Sequence, residues 1–123
     1  MIGIDSNGWI ERFTNGPKAQ QYNRIIDKVR PDEIVTSVVV LYEVYRKVRQ
    51  VKDEETALEA VAALTRTMIV PVDQTLSIEA ADFSLSYGLH FADAIIYATA
   101  RHYEVQLYTS DEHLKGLKDV TFT

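Results

Sequence analysis

Short apolar runs along this chain alternate with longer stretches whose apolar residues recur every three or four positions. Ile2-Gly-Ile ending at Asp5, Glu33–Thr36, Met68–Val72, Val105–Tyr108 and Val120–Phe122 read as strands. Between them, Asn7–Arg12 reads as a helix capped by Asn7, and Asn15-Gly16-Pro17 breaks the chain after it. Lys18–Val29 carries Tyr22, Ile25, Ile26 and Val29 on one helical stripe and stops at the turn Arg30-Pro31-Asp32. Ser37 caps a helix to about Val51, with Val40, Leu41, Val44, Tyr45 and Val48 at i, i+3, i+4 spacing, although β-branched Val38-Val39-Val40 blurs where strand gives way to helix. Asp53-Glu54-Glu55 puts negative charge where a helix N-terminus favours it, and that helix runs on through Leu58, Val61, Ala62 and Leu64. Thr75–Tyr87 is helical and closes on Gly88. Phe91–Tyr103 is a helix dense in Ala and Ile, and Asp111–Leu114 a short helical turn.

Short apolar strands alternating with helices imply a parallel sheet covered on both faces. The expectation is an α/β fold, a three-layer α/β/α domain with four to five strands. The 123 residues hold no linker, low-complexity segment or internal repeat, so residues 1–123 are read as one domain.

Composition removes several chemistries. Apolar types make up 46% of the chain, enough for a buried core. The absence of cysteine excludes disulfides, thiolate-bound zinc and a catalytic thiol. No run approaches the ~20 apolar residues of a membrane span, and Met1-Ile-Gly-Ile-Asp5 lacks the basic flank and apolar region of a signal peptide. A soluble cytoplasmic protein with no membrane association is the expectation. The formal net charge is -5, but residues 1–52 hold nine Lys or Arg against six Asp or Glu, and the remainder four against twelve. The basic front half is either a phosphate-binding face or a solvated surface.

Four acids stand out. Asp5 falls where the first strand ends and Asp111 three residues beyond Tyr108, at the strand ends where parallel sheets bind ligands; each could instead cap the helix that follows. Glu43 lies in the first turns of an apolar helix, with Lys47 at i+4 as a possible partner. Asp93 sits in Phe91-Ala-Asp-Ala-Ile-Ile-Tyr-Ala, where an acid is costly to bury unless paired, hydrogen-bonded or metal-bound. Converging carboxylates suit Mg²⁺ or Mn²⁺, and such ions supply what phosphodiester hydrolysis needs. Ser6, Asn7, Thr109 and Ser110 flank the acids and either orient waters and ligands or serve as caps. Neither a Gly-x-x-x-x-Gly-Lys phosphate loop nor a Gly-x-Gly-x-x-Gly turn is present. His90, His102 and His113 lack metal-ligand spacing with one another and read as surface or capping residues.

Asp5-Ser-Asn-Gly-Trp-Ile, Thr36-Ser-Val-Val-Val-Leu-Tyr-Glu43, Phe91-Ala-Asp93-Ala-Ile-Ile-Tyr-Ala and Leu107-Tyr-Thr-Ser-Asp111-Glu-His-Leu together resemble the four ordered motifs of PIN-domain nucleases. The length is most similar to the VapC-type toxin branch. The resemblance implies a parallel sheet flanked by helices, a Mg²⁺ or Mn²⁺ site at Asp5, Glu43, Asp93 and Asp111, cleavage of RNA, a homodimer and a VapB-like antitoxin partner. Arg46, Lys47, Arg49 and Lys52 follow Glu43 and could hold RNA phosphates, although one helix cannot point all four the same way. Trp9, Phe13, Tyr87 and Leu89 are apolar residues divided between core and partner surface. Two alternatives remain at this level: a catalytically inactive PIN-like module that binds RNA or protein, and a receiver-type phosphoacceptor, for which Asp73 follows the third strand without its supporting acids.

Overall fold

The apolar runs become β1 (Ile2–Ile4), β2 (Ile34–Ser37), β3 (Met68–Val70), β4 (Gln106–Thr109) and β5 (Val120–Phe122) in a computed structural model that describes residues 1–123. The helices are α1 (Ser6–Thr14), α2 (Ala19–Ile26), α3 (Val38–Val51), α4 (Glu54–Leu64), α5 (Gln74–Tyr87) and α6 (Phe91–His102), with a 3₁₀ turn at Pro31–Glu33. The sheet order is β3-β2-β1-β4-β5 and every neighbouring pair is parallel. The α/β architecture read from the sequence is therefore the one observed, with five strands and flanking helices.

The order matters for function. The chain steps outward from β1 to β2 and β3, then returns to lay β4 on the other side of β1. That reversal makes the C-terminal ends of β1 and β4 a switch point, where neighbouring loops diverge and leave a crevice. The register Ile4↔Tyr108 brings Asp5 and the loop after Thr109 to the same edge.

Packing follows the periodicity. Val40, Val44 and Val48 of α3 are buried, as are Ala57, Ala60 and Leu64 of α4. Residues Ala94 to Ala100 of α6 are all buried, because this helix lies between α5 and the sheet strands β2 and β4. A helix wrapped on every side has no polar face to betray its period. No helix is long and apolar enough to cross a membrane.

Several boundaries differ from the sequence reading, among them the end of α2, which stops at Ile26 rather than Val29; three of the differences have a local reason. β3 stops at Val70 because Pro71 offers no N–H to the ladder. Helix α1 begins at Ser6, capped by Asp5 rather than Asn7; the carboxylate one residue earlier satisfies the first free N–H. The expected helical turn at Asp111–Leu114 is a chain of single turns, Leu114 N–H to Asp111 O, Lys115 to Glu112 and Leu117 to Leu114. It passes through left-handed Gly116 (φ 85°) and Asp119 (φ 63°), a conformation no helix can hold. This short connection delivers β5 parallel to β4.

Candidate active site

Asp5 is the anchor. Its backbone N–H still bonds Tyr108 O across the sheet at 3.0 Å, while its side chain already caps α1, Oδ1 accepting from Ser6 N at 2.7 Å. Oδ2 accepts from the buried Thr109 hydroxyl at 2.7 Å. Only 3% of Asp5 is exposed. Capping a helix and standing beside the other acids, which the sequence left as alternatives, are compatible at Asp5.

The other acids converge on it. Ser6 Oγ donates to Glu43 Oε1 at 2.9 Å and lies 3.4 Å from Asp5 Oδ1, so one hydroxyl links α1 to the carboxylate of α3. Glu43 makes no ion pair with Lys47. Asp93 stands in the first turn of α6. Asp111 is held by the same threonine as Asp5, its N–H donating to Thr109 Oγ1 at 2.9 Å, and its Oδ1 accepts from His113 N at 2.9 Å.

The electrostatics register this convergence. Burial pushes the Asp5 carboxyl above its usual pKa; the bonds from Thr109 and Ser6 pull it down, and the charges of Glu43 and Asp111 push it up. Asp93 is pushed up to about 7, first by burial, then by the charges of Asp111 and Asp5, a hydrogen bond with Asp111 and the charge of Glu43. No Lys or Arg forms an ion pair with any of the four; the one salt bridge among them is His113 Nδ1 to Asp111 Oδ1 at 3.0 Å. The donor set is oxygen-rich, negative and uncompensated, which fits Mg²⁺ or Mn²⁺. Asp93, Asp111 and His113 each bring one ligand atom within 4.8 Å of the others.

Two of these neighbours escaped the sequence reading. His113 was assigned to the surface with His90 and His102. It is exposed, but it faces Asp111, and its ring meets His90 edge-on at 5.8 Å. Its position two residues after an acid was the available signal. Tyr22 carried none, since it occupies a core stripe. Its ring is fully buried, yet its hydroxyl lies 2.6 Å from Ser110 Oγ and 3.2 Å from Asn7 Oδ1. Asn7 Oδ1 also accepts from Ser110 N at 3.4 Å. Tyr22 thus ties α1, α2 and the loop after β4 together behind the acids. Gly8 makes room for it: a Cβ there would stand 2.6 Å from the Tyr22 ring and 2.7 Å from Ile4.

The basic residues after Glu43 divide. Arg46 and Lys47 line a groove of about 630 Å³ between α1 and α3 that Glu43 also lines. Arg49 points elsewhere, donating to Tyr45 at 2.7 Å and pairing with Glu54 at 3.6 Å. Lys52 is the exposed cap residue beyond α3. Asp73 caps α5, accepting from Leu76 N at 2.9 Å, beyond the edge strand β3 and apart from the four acids, which removes the receiver arrangement. Trp9 and Leu89 belong to the core, Phe13 packs against it, and Tyr87 is half-exposed.

Comparison with known proteins agrees with this geometry. The model of the PIN domain family matches residues 2–120. Among solved structures, a toxin–antitoxin complex from Klebsiella pneumoniae contains a similar chain, 23% identical with a TM-score of 0.82, over 98% of this chain and 96% of that one. VapC20 of Mycobacterium tuberculosis, described as a sarcin–ricin loop cleaving toxin, is 19% identical with a TM-score of 0.79 over 98% of both chains. VapBC2 of Rickettsia felis, bound to a fragment of its promoter DNA, has a chain 18% identical with a TM-score of 0.70, over 100% of this chain and 98% of that one. No curated protein matches the sequence. At these identities the structural likeness speaks for the fold, whereas the family match spans nearly the whole sequence: the chain belongs to the PIN domain family.

Proposed function

We propose that this protein is a Mg²⁺- or Mn²⁺-dependent endoribonuclease, the toxin of a toxin–antitoxin pair, with Asp5, Glu43, Asp93 and Asp111 as its catalytic and metal-binding acids. The observation that carries this reading is the convergence of four carboxylates at the β1/β4 switch point with no Lys or Arg among them. Asp5, Glu43, Asp93 and Asp111 would hold the cation between them. When bound, such an ion would lower the pKa of a water and neutralise charge on the phosphate.

The chain's own residues do the rest. Thr109 and Ser6 each occupy one oxygen of Asp5, which fixes its orientation. Thr109 simultaneously pins Asp111, so two acids from neighbouring strand ends move as one unit. Glu43, steadied by Ser6 at the groove, would receive the proton of the attacking water. Asp93, with its pKa near 7, holds a proton part of the time at neutral pH and releases it when positive charge arrives.

The neighbours named as toxin–antitoxin assemblies support a VapB-like antitoxin partner for this chain; a homodimer acting in the cytoplasm completes the proposal. Incubation of the purified protein with single-stranded RNA, with Mg²⁺ or Mn²⁺ and with chelator, tests the chemistry. Cleavage that requires the ion and disappears in Asp5→Asn is expected. Equal cleavage by that variant, or cleavage in chelator, would sink the proposal.

A further inference from the structure

The groove between α1 and α3 opens from the acid cluster and is not explained by it. Its walls are Ser6, Asn7, Ile10 and Glu11 on one side and Tyr42, Glu43, Arg46 and Lys47 on the other. The α3 residues are spaced i, i+1, i+4 and i+5, so they form one helical face. Glu43 belongs to both the groove and the acid cluster, which places the two in direct continuity.

Three features define what fits. Tyr42 is 66% exposed, an aromatic face presented to solvent beside a polar site. Arg46 and Lys47 are exposed and free of ion pairs, while Arg49 on the same helix is committed to Glu54. The acid on the opposite wall, Glu11, is turned back toward Gly16 and accepts from Lys18 N at 3.3 Å, so it opposes the two cations less than its position suggests. Two free cations and an open ring match a polymer with negative charge and flat bases. An acidic peptide would use the cations and leave the ring idle.

We propose that this groove is the subsite for the nucleotide next to the cleaved bond of a single-stranded RNA, with Tyr42 stacking on its base and Arg46 and Lys47 neutralising its flanking phosphates. Base–aromatic stacking is tolerant of sequence, because every base has a flat face. Single-stranded RNA offers bases free to leave the helix and stack on a side chain. The subsite therefore selects an unpaired nucleotide at the cut rather than a particular letter. This inference rests on the ribonuclease reading of the adjoining acids.

Fluorescence anisotropy in chelator, where the strand stays intact, tests it with two probes: a labelled twelve-residue oligoadenylate and an abasic sugar–phosphate strand of the same length. Wild-type protein is expected to prefer the base-bearing strand by about tenfold, in line with stacking energies. Tyr42→Ala should bring the two strands to near parity, and Tyr42→Trp should keep the preference. Arg46→Ala with Lys47→Ala should weaken both strands alike and flatten the salt dependence by about 1.4 in log–log slope, two phosphates' worth for a single strand. A wild-type protein that binds and cuts RNA while Tyr42→Ala retains the full base preference overturns the subsite and leaves the nuclease reading intact. A wild-type protein that neither binds nor cuts any strand overturns both. Loss of capture of a partner protein by Tyr42→Ala, with RNA binding unchanged, makes the groove a protein-docking surface and overturns the subsite too.

Discussion

Replacing Asp93 by Asn should make the metal-free protein more stable. The carboxyl of Asp93 is raised from 3.8 to about 7, so the folded state holds a proton that the unfolded state has given up. Between about pH 4 and pH 7 the native state binds more protons, and stability falls as pH rises through that window. Above pH 7 the full penalty is present; below pH 4 it vanishes. At 1.36 kcal/mol per pKa unit the shift corresponds to about 4 kcal/mol. Asp93 is only half-buried, and solvent screening reduces this to about 1–2 kcal/mol. Asn matches the shape of the acid, keeps a donor for Asp111 and carries no charge to repel the other carboxylates. At this chain length the gain should appear as a rise of about 3–10 °C in Tm at pH 8 in chelator, and as little change at pH 4.5. Thermal unfolding followed by circular dichroism at the two pH values measures it. Adding Mg²⁺ should stabilise wild type more than the variant, because the ion relieves a repulsion the variant no longer has. A variant less stable than wild type at pH 8 in chelator, or one stabilised by Mg²⁺ just as strongly, would refute the argument.

Other substitutions probe the framework. Thr109→Val removes the donor to Asp5 Oδ2 and the acceptor of Asp111 N; a loss of about 1–3 kcal/mol by urea unfolding is expected, larger at pH 8 than at pH 4.5, where Asp5 is more easily protonated. Gly8→Ala should destabilise in spite of alanine's helix preference of about 1 kcal/mol, since the added methyl meets the buried Tyr22 ring and Ile4, and overpacking costs about 1–3 kcal/mol; a raised denaturation midpoint would contradict it. Tyr22→Phe keeps the ring and removes the hydroxyl that reaches Ser110 and Asn7. It should cost about 1 kcal/mol of stability but lower kcat for RNA cleavage with little change in KM, and a fall confined to stability would leave Tyr22 a core residue only.

Much of this was legible because local physics writes itself into periodicity. Val40, Val44 and Val48 face the core as their spacing requires, and Ser37, Asp53 and Gly88 end their helices as their chemistry requires. The strand ends at Asp5 and Thr109 could be located to within a residue or two. Strand order could not, because pairing across the sheet leaves no mark on a single strand, and without it the approach of Asp5 to Asp111 was an inference from motifs. The sequence misplaces the cap at Asn7 because Asp5, two residues earlier, is equally competent, and only the hydrogen-bond geometry chooses between them. Tyr22 was hidden by its own burial: one hydroxyl at the end of a core ring leaves no trace in an amphipathic pattern. Arg49 was indistinguishable from Arg46 in sequence, and only the packing of α4 against α3 separated them by supplying Glu54.

The partners of the four acids explain why the fold tolerates them. The Asp5 and Glu43 carboxylates are held by hydroxyls and a backbone N–H, which orient them without cancelling their charge, and only Asp111 adds an imidazole, that of His113, to its backbone partner. A lysine or arginine in the cluster would have neutralised it more cheaply and left nothing for an incoming cation to do. Instead two free cations, Arg46 and Lys47, line the adjoining groove with Glu43, where a phosphate rather than a carboxylate is their natural partner. Asp93, at the start of a helix buried on nearly every side, bears burial first and then the repulsion of the other acids, and both raise its pKa. Apolar packing of α6 between α5 and the sheet supplies the stability that offsets this cost, so the acids can stay charged and ordered, as the proposed divalent ion would require.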